Sequence, residues 1–401
     1  MMKIAYHYHH EIQKHKNKYY CKHFWSKWVF EISKHTKLNL IAWIKEVDKK
    51  PSLYLLNTQN ISFTNLGEKP SSFINHFFNL YKVKKIISNY DLLKKVDYIG
   101  FEVPTFYAVY IWFWLNKKKF FVFLAGDITK LVLTATSTPV LKRYILFLYY
   151  LIDKFFLIKL CNQSIVFDEN YKTSNRSLKN NEYGDYYKKI KTTRHNMLMT
   201  TFYGDDVYFK RKQDFLPNKK PILVYIGRLE TGNEIFKFIE IAEFLSLKTK
   251  NFKWYILGDG PDGDLFKNKI KNKNLSKFFK FFGHIEHGKK FSEIVKKCDI
   301  YVDPYNPAGP GPGRAGWEAF AYGLVSVAGT SSKKDYFIHG KNIYHPKNNS
   351  NLSFSEAIYD IINDNKKRAI ISKNASKIAK TRSLDNEVKR LISVLKRNKS
   401  Y

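Results

Sequence analysis

Acidic residues are scarce in this chain: 35 Asp and Glu stand against 69 Lys and Arg in 401 residues, a formal charge of +34. Such an excess must attract anionic partners, either nucleic acid or an anionic membrane surface. The lysines are spread along the chain, and no helix-turn-helix, zinc-finger or RNA-binding aromatic signature is present. The membrane surface is therefore the expected partner and nucleic acid is not. Cysteine is also scarce: Cys21, Cys161 and Cys298 lie too far apart for a metal spacing. An odd, sparse count without a signal peptide fits a reducing cytoplasm. Long apolar runs are missing too. Phe106–Leu115 and Tyr144–Ile152 both stop short of the roughly 20 residues a spanning helix needs. Each reads as a buried core helix. The second, flanked by Lys142-Arg143 and Asp153-Lys154, also suits the plane of a membrane interface.

With 44% hydrophobic residues the chain can build two cores, and its length suggests two domains. Strands alternate with helices in both halves. In the first half strands are expected at Lys3–Tyr8, Leu38–Ile44, Val96–Phe101, Phe120–Leu124 and Gln163–Phe167, with a helix around Trp25–Lys34. After a polar break at Lys210–Lys220 the alternation restarts, with strands at Pro221–Ile226, Phe252–Leu257, Phe278–Phe282 and Ile300–Val302. The fold class expected is α/β: two Rossmann-like, doubly wound domains facing a central cleft.

The richest segment is Gly309-Pro310-Gly311-Pro312-Gly313-Arg314-Ala315-Gly316-Trp317-Glu318, between an apolar strand and a helical stretch that Gly323 ends. Glycines at a strand-to-helix turn let backbone N–H groups approach a ligand, and the helix N-terminus adds positive charge there. Arg314 and Glu318 stand four apart and share a helix face, offering a cation for phosphate and a carboxylate for a ribose diol. The plain alternative is a glycine-rich loop carrying a surface ion pair.

Further motifs resemble those of retaining glycosyltransferases of family 4, which have the GT-B fold. Ile222–Leu229 (ILVYIGRL) resembles their strand-Gly-Arg-Leu. Tyr255–Pro261 (YILGDGP) is similar to the I-x-G-D-G-P turn, and Phe282-Gly283 to F-x-G. Cys298–Val302 resembles A-D-v-f-v, Glu318–Gly323 E-A-m-a-x-G, and His339–Asn342 the D-G-x-N segment. Six elements agree in order over about residues 221–345. The resemblance implies an acceptor-binding domain at 1–205, a nucleotide-sugar donor domain at 206–380, and a C-terminal helix at 381–401 crossing back to the first domain.

It also implies roles. Glu318 would hold the donor ribose, the backbone from Gly311 through Gly313 to Arg314 the diphosphate, and Arg228 the departing phosphate charge. Gly227, Thr231 and Gly260 would complete the donor side. No metal or other cofactor is implied, because fixed donors and an arginine can meet the growing negative charge. The expected reaction moves a sugar, with retention, to a hydroxyl of a glycan or lipid-linked glycan. Lipopolysaccharide or capsule synthesis at the inner face of the cytoplasmic membrane would be typical.

Several positions depart from the family pattern. Pro310 stands where many members have a first glutamate, and Glu230-Thr231 where a lysine usually follows Gly-Arg-Leu. Gly126-Asp127 replaces a His-Asp pair, leaving Asp127 as a catalytic candidate or a helix cap. The usual glycine loop after the first strand is absent; the first glycine is Gly67. His7 and His9 would share a strand face by alternation, as contacts to the acceptor rather than metal ligands. Two other readings remain open at this stage: a GT-B nucleotide-sugar epimerase, and a non-catalytic GT-B-like protein that binds anionic glycan or nucleic acid.

Overall fold

The computed structural model describes residues 1–21, 23–115, 118–124, 140–168, 189–197, 220–231, 234–304, 313–329 and 337–399. Two compact units divide the chain: Met1–Phe202 with Leu384–Tyr401, and Tyr203–Ser383.

The first unit is built on β1 (Met2–His15), which pairs in parallel with β3 (Thr36–Glu46) on one side and β6 (Tyr98–Val103) on the other. The parallel path runs outward from β3 to β5 (Ile61–Asn65), and from β6 through β7 (Phe120–Leu124) and β8 (Ser164–Asp168) to β9 (Arg194–Asn196). Past the end of β6, β1 continues into a hairpin with β2 (Lys18–Cys21), and β4 (Tyr54–Leu55) extends that antiparallel corner. The two-residue turn is Lys16-Asn17, both at positive φ, which matches the twist of a tight hairpin.

Strand alternation sends successive side chains of β1 into two different cores. Ile4, Tyr6, Tyr8 and Ile12 pack with Trp28, Val29 and Ile32 of α1 (His23–His35). The same layer takes Leu384, Val388, Leu391 and Leu395 of the C-terminal helix, whose Leu395 carbonyl accepts the Tyr98 hydroxyl at 3.0 Å. On the opposite face, Ala5 joins Ile41, Trp43, Phe101 and Val122 in a second core, and further helices are described in the unit. These are α2 (Phe73–Phe78), α3 (Leu80–Asn89), α4 (Asp91–Lys94), α5 (Phe106–Trp114) and α6 (Val140–Asn162). A sheet covered on both faces explains why its strands are apolar runs rather than alternating ones.

In the second unit five parallel strands stand in the order β12-β11-β10-β13-β14. They are β10 (Ile222–Ile226), β11 (Lys253–Leu257), β12 (Phe279–Gly283), β13 (Ile300–Asp303) and β14 (Val325–Ala328). The helices are α7 (Lys237–Lys248), α8 (Gly263–Asn272), α9 (Lys289–Val295), α10 (Gly313–Ala321), α11 (Asn351–Asn363) and α12 (Asn365–Thr381). The C-terminal helix of the first unit, α13 (Leu384–Lys399), follows. Both sheets are Rossmann-like, and together they make the GT-B fold class. The three cysteines are buried, and none is in a disulfide among the described residues. Among the described residues no helix is long and apolar enough to cross a membrane.

Candidate active site

The order of the second sheet creates its own binding position. From β10 the chain steps outward to β11 and β12, then returns to the other side of β10 as β13. The strand order therefore reverses between β10 and β13, and α/β sheets take ligands at the carboxyl ends of such a pair. Gly227 and Arg228 leave β10 at this point, and Asp303 ends β13.

The loop after β10 is held from below. The Gly227 N–H donates to the Leu257 carbonyl at 3.1 Å and the Leu229 N–H to that of Asp259 at 3.0 Å. The Tyr225 hydroxyl donates to the Arg228 carbonyl at 3.0 Å. Thr231 is fastened twice to the carboxylate of Asp262, through its N–H at 2.6 Å and its hydroxyl at 2.7 Å. The Arg228 side chain remains exposed, with Glu230 at 3.2 Å. Gly260 sits in the turn after β11, beneath Leu229, whose carbonyl accepts the Asp262 N–H at 3.0 Å.

On the other side of the switch, α10 begins at Gly313 and carries Glu318. Its C-terminus closes with Gly323 at φ 72°, the Leu324 N–H returning to the Ala319 carbonyl at 2.8 Å. Hydroxyls of α12 fix the same end: Ser372 donates to the Gly323 carbonyl at 2.5 Å and Ser376 to that of Phe320 at 3.2 Å. The helix cannot slide without breaking these contacts. Glu318 is only 2% exposed, a costly place for a carboxylate unless something meets it. His287, from the loop after β12, supplies that partner: its Nε2 lies 2.6 Å from Glu318 Oε1, outside hydrogen-bond alignment, while its ring packs 4.6 Å from that of Phe291.

Buried polar groups continue behind this pair. The Tyr301 hydroxyl donates to Asp303 at 3.4 Å. Burial pushes the Tyr301 phenol well above its usual range, and the charges of Asp303, the Tyr225 phenol and Glu318 push it further. Tyr301, Asp303 and His287 escaped the sequence reading. The rings of Tyr225 and Tyr301 and the carboxylates of Asp303 and Glu318 thus share one neighbourhood at the carboxyl edge of the sheet. A cavity of about 590 Å³ between α7 and α8 includes none of these residues.

In the first unit His7 and His9 both lie on β1. His7 is buried, with its ring 6.1 Å from Tyr107 and 6.4 Å from Phe101, and neither ring nitrogen has a hydrogen-bond partner among the described residues. Burial lowers its pKa to about 3, helped by His9, Lys69 and His76, so it is neutral at ordinary pH. A neutral imidazole offers one donor and one acceptor, the complement of a hydroxyl group. His9 lies at the register irregularity of β1 between Tyr8 and Glu11, 3.5 Å from Glu102 and with its ring 4.0 Å from that of His10. Asp127 and Gly311 lie outside the described residues, as does the side chain of Arg314. The structure therefore brings Gly227, Arg228, Thr231, Gly260, Gly313 and Glu318 to one sheet, and places His7 and His9 in the other unit. One His-carboxylate group, Glu31, His35 and Asp385, has ligand atoms within 4.8 Å of one another, but Lys34 and Lys389 already pair with its carboxylates at 2.7 Å.

Residues 206–378 match the family model described as glycosyl transferases group 1. No curated protein matches the chain. Among solved structures, HepE of Anabaena in complex with UDP is similar at 15% identity, with a TM-score of 0.60 over 98% of this chain and 100% of that one. Sucrose-phosphate synthase of Thermosynechococcus elongatus shares 12% identity and a TM-score of 0.66 over 99% of each chain. A glycosyltransferase of Rickettsia africae shares 14% identity at a TM-score of 0.60, covering 99% of this chain and 98% of that one. At such identities the likeness is one of fold. The family match lies within the second unit, and the chain is an enzyme of the glycosyltransferase class.

Proposed function

We propose that the chain transfers a sugar, with retention, from a uridine diphosphate donor to a hydroxyl of a glycan or lipid-linked glycan in surface-polysaccharide synthesis at the cytoplasmic face of a membrane. The observation that carries the reading is Glu318: a carboxylate almost wholly buried, held on a fixed helix beside the switch point of a parallel sheet. Uridine is chosen because HepE of Anabaena has been solved with UDP and with UDP-glucose.

In this reading Glu318 accepts hydrogen bonds from the two ribose hydroxyls, displacing His287 from its carboxylate. The diphosphate lies at the N-terminus of α10, where unsatisfied N–H groups from Gly313 onward and the helix dipole favour negative charge. Arg228, exposed on its loop, closes on the phosphate that departs. Its guanidinium forms charge-assisted hydrogen bonds that strengthen as charge develops on the leaving group. The bond between the anomeric carbon and the phosphate oxygen breaks, and the acceptor oxygen bonds to the same face of that carbon. The acceptor's proton passes to the leaving phosphate. Thr231, tied to Asp262, keeps the β10 loop in place rather than supplying the missing cation. His7 and His9, with Asp127, would position the acceptor.

The test is release of UDP from a panel of UDP-sugars in the presence of glycan acceptors and lipid extracts. Wild type should transfer one labelled sugar, and Glu318→Gln and Arg228→Ala should each lower kcat/KM by roughly 100-fold or more. Transfer unaffected by either substitution would refute the assignment.

A further inference from the structure

Helix α6 presents an unusual surface. Stepping 100° per residue, Val140, Leu141, Tyr144, Ile145, Leu148, Leu151, Ile152, Phe155 and Phe156 fall on one side of the helix. All are exposed, from 38% at Phe156 to 74% at Leu141. The opposite side is the one that packs: Leu157, Leu160 and Cys161 belong to the core, and Asp153 is buried with them. The helix thus carries large apolar side chains on both sides, and among the described residues only one side packs into the core. Nine large apolar side chains in one stripe exceed the patch of a few hundred Å² that a monomer ordinarily exposes.

The patch extends beyond α6. The Phe77 ring of α2 meets that of Tyr149 at 5.5 Å, and Ile74 and Phe78 of α2 and Tyr81 of α3 are exposed as well. Positive charge surrounds the stripe. Lys159 lies 4.5 Å over the Phe155 ring at its C-terminal end, and Arg143 and Lys154 flank it by helical position. Lys84 and Lys85 are exposed on α3. The sole acid of α6, Asp153, points to the core, where burial raises its pKa to about 7. An apolar stripe with a cationic rim and no exposed acid is complementary to one surface: acyl chains beneath anionic headgroups.

We infer that α6, with α2 beside it, is an interfacial helix that lies in the plane of an anionic lipid bilayer and docks the first unit to it. The stripe enters the acyl boundary, and Arg143, Lys154 and Lys159 snorkel to the phosphates. Docking needs no spanning segment and does not depend on the transferase reaction, so it can be tested without a donor or an acceptor.

The experiment is co-sedimentation of the full chain with phosphatidylcholine vesicles, alone or with about one-third phosphatidylglycerol. The first variant is Leu148→Asn/Ile152→Asn, which removes apolar area and leaves the charge of the whole chain unchanged. A second, Leu151→Asn/Phe155→Asn, covers the case in which the first does not fold, and Leu247→Asn, exposed in the other unit, is the control. The expected result is binding to the anionic vesicles and little to the neutral ones, lowered at least about tenfold in both α6 variants and unchanged in the control. Equal binding by wild type and the α6 variants would mean that the net charge alone drives adsorption, and would overturn the assignment. So would a lipid-free, concentration-dependent dimer that the α6 substitutions dissolve, since a second copy would then be the occupant.

Discussion

A Cβ on Gly258 would stand 1.8 Å from the Gly227 carbonyl oxygen, and one on Gly260 2.4 Å from that of Leu229. Both glycines are therefore required by close approach of two backbones, and the β10 loop that carries Arg228 rests directly on them. Gly263 is the contrast, with ordinary backbone and no atom closer than 3.4 Å to a Cβ. Gly258→Ala should destabilise the second unit by about 3 kcal/mol or more, while Gly263→Ala should stay within about 1 kcal/mol of wild type, both read from denaturant midpoints. Equal effects would show that the close approach is relieved cheaply. Glu318 and Arg228 could be nominated from the sequence because each sits in a local run of distinctive residue types. His287, Tyr301 and Asp303 were not, because their relation to Glu318 is made by loops and strands that meet only after the sheet has formed.

Two elements of the first unit carry opposed titrations. Asp153 of α6 has a carboxyl raised from 3.8 to about 7 by burial, so the folded state keeps a proton that the unfolded chain loses. Its contribution makes stability fall as pH rises from about 4 to 7, by roughly 4 kcal/mol in all. His7 of β1 is lowered from 6.5 to about 3, chiefly by burial, so the unfolded chain binds a proton that the folded state refuses. Stability from this group is complete above about pH 6.5 and is lost as pH falls toward 3. Between about pH 4 and 6.5 the two slopes oppose each other at similar size. Relative to wild type, Asp153→Asn should make stability climb with pH across that window, and His7→Leu should make it decline, measured by urea unfolding at a series of pH values. Parallel curves for all three proteins would contradict both burials. At this scale the sequence was readable wherever an apolar run met a clear boundary: Phe120–Leu124 was located to the residue. The short strands β2, β4 and β5 were missed because pairing with neighbours, not composition, makes them strands. Helix α6 was read as core because it is apolar on both sides, and periodicity cannot say which side lacks a partner.

On the scale of the whole molecule, two separately cored units divide the work. The first unit carries the apolar and cationic surface, the neutral His7 and a sheet covered by a helix from the far end of the chain. The second carries the switch point, the fixed helix α10 and the buried carboxylate. Alternating strands and helices, with motifs in the right order, were enough to read two Rossmann-like folds, whereas the outward stripe of α6 is a property of packing alone. The most direct test of the central claim is thermal unfolding with saturating UDP, comparing wild type with Glu318→Gln. At a concentration 100 times the dissociation constant, UDP should stabilise the second unit by about 2.7 kcal/mol, raising its melting temperature by roughly 5–11 °C and leaving the first unit unmoved. Glu318→Gln should abolish that shift. No shift in wild type, or an equal shift in the variant, would contradict the assignment of Glu318 as the carboxylate that holds the donor.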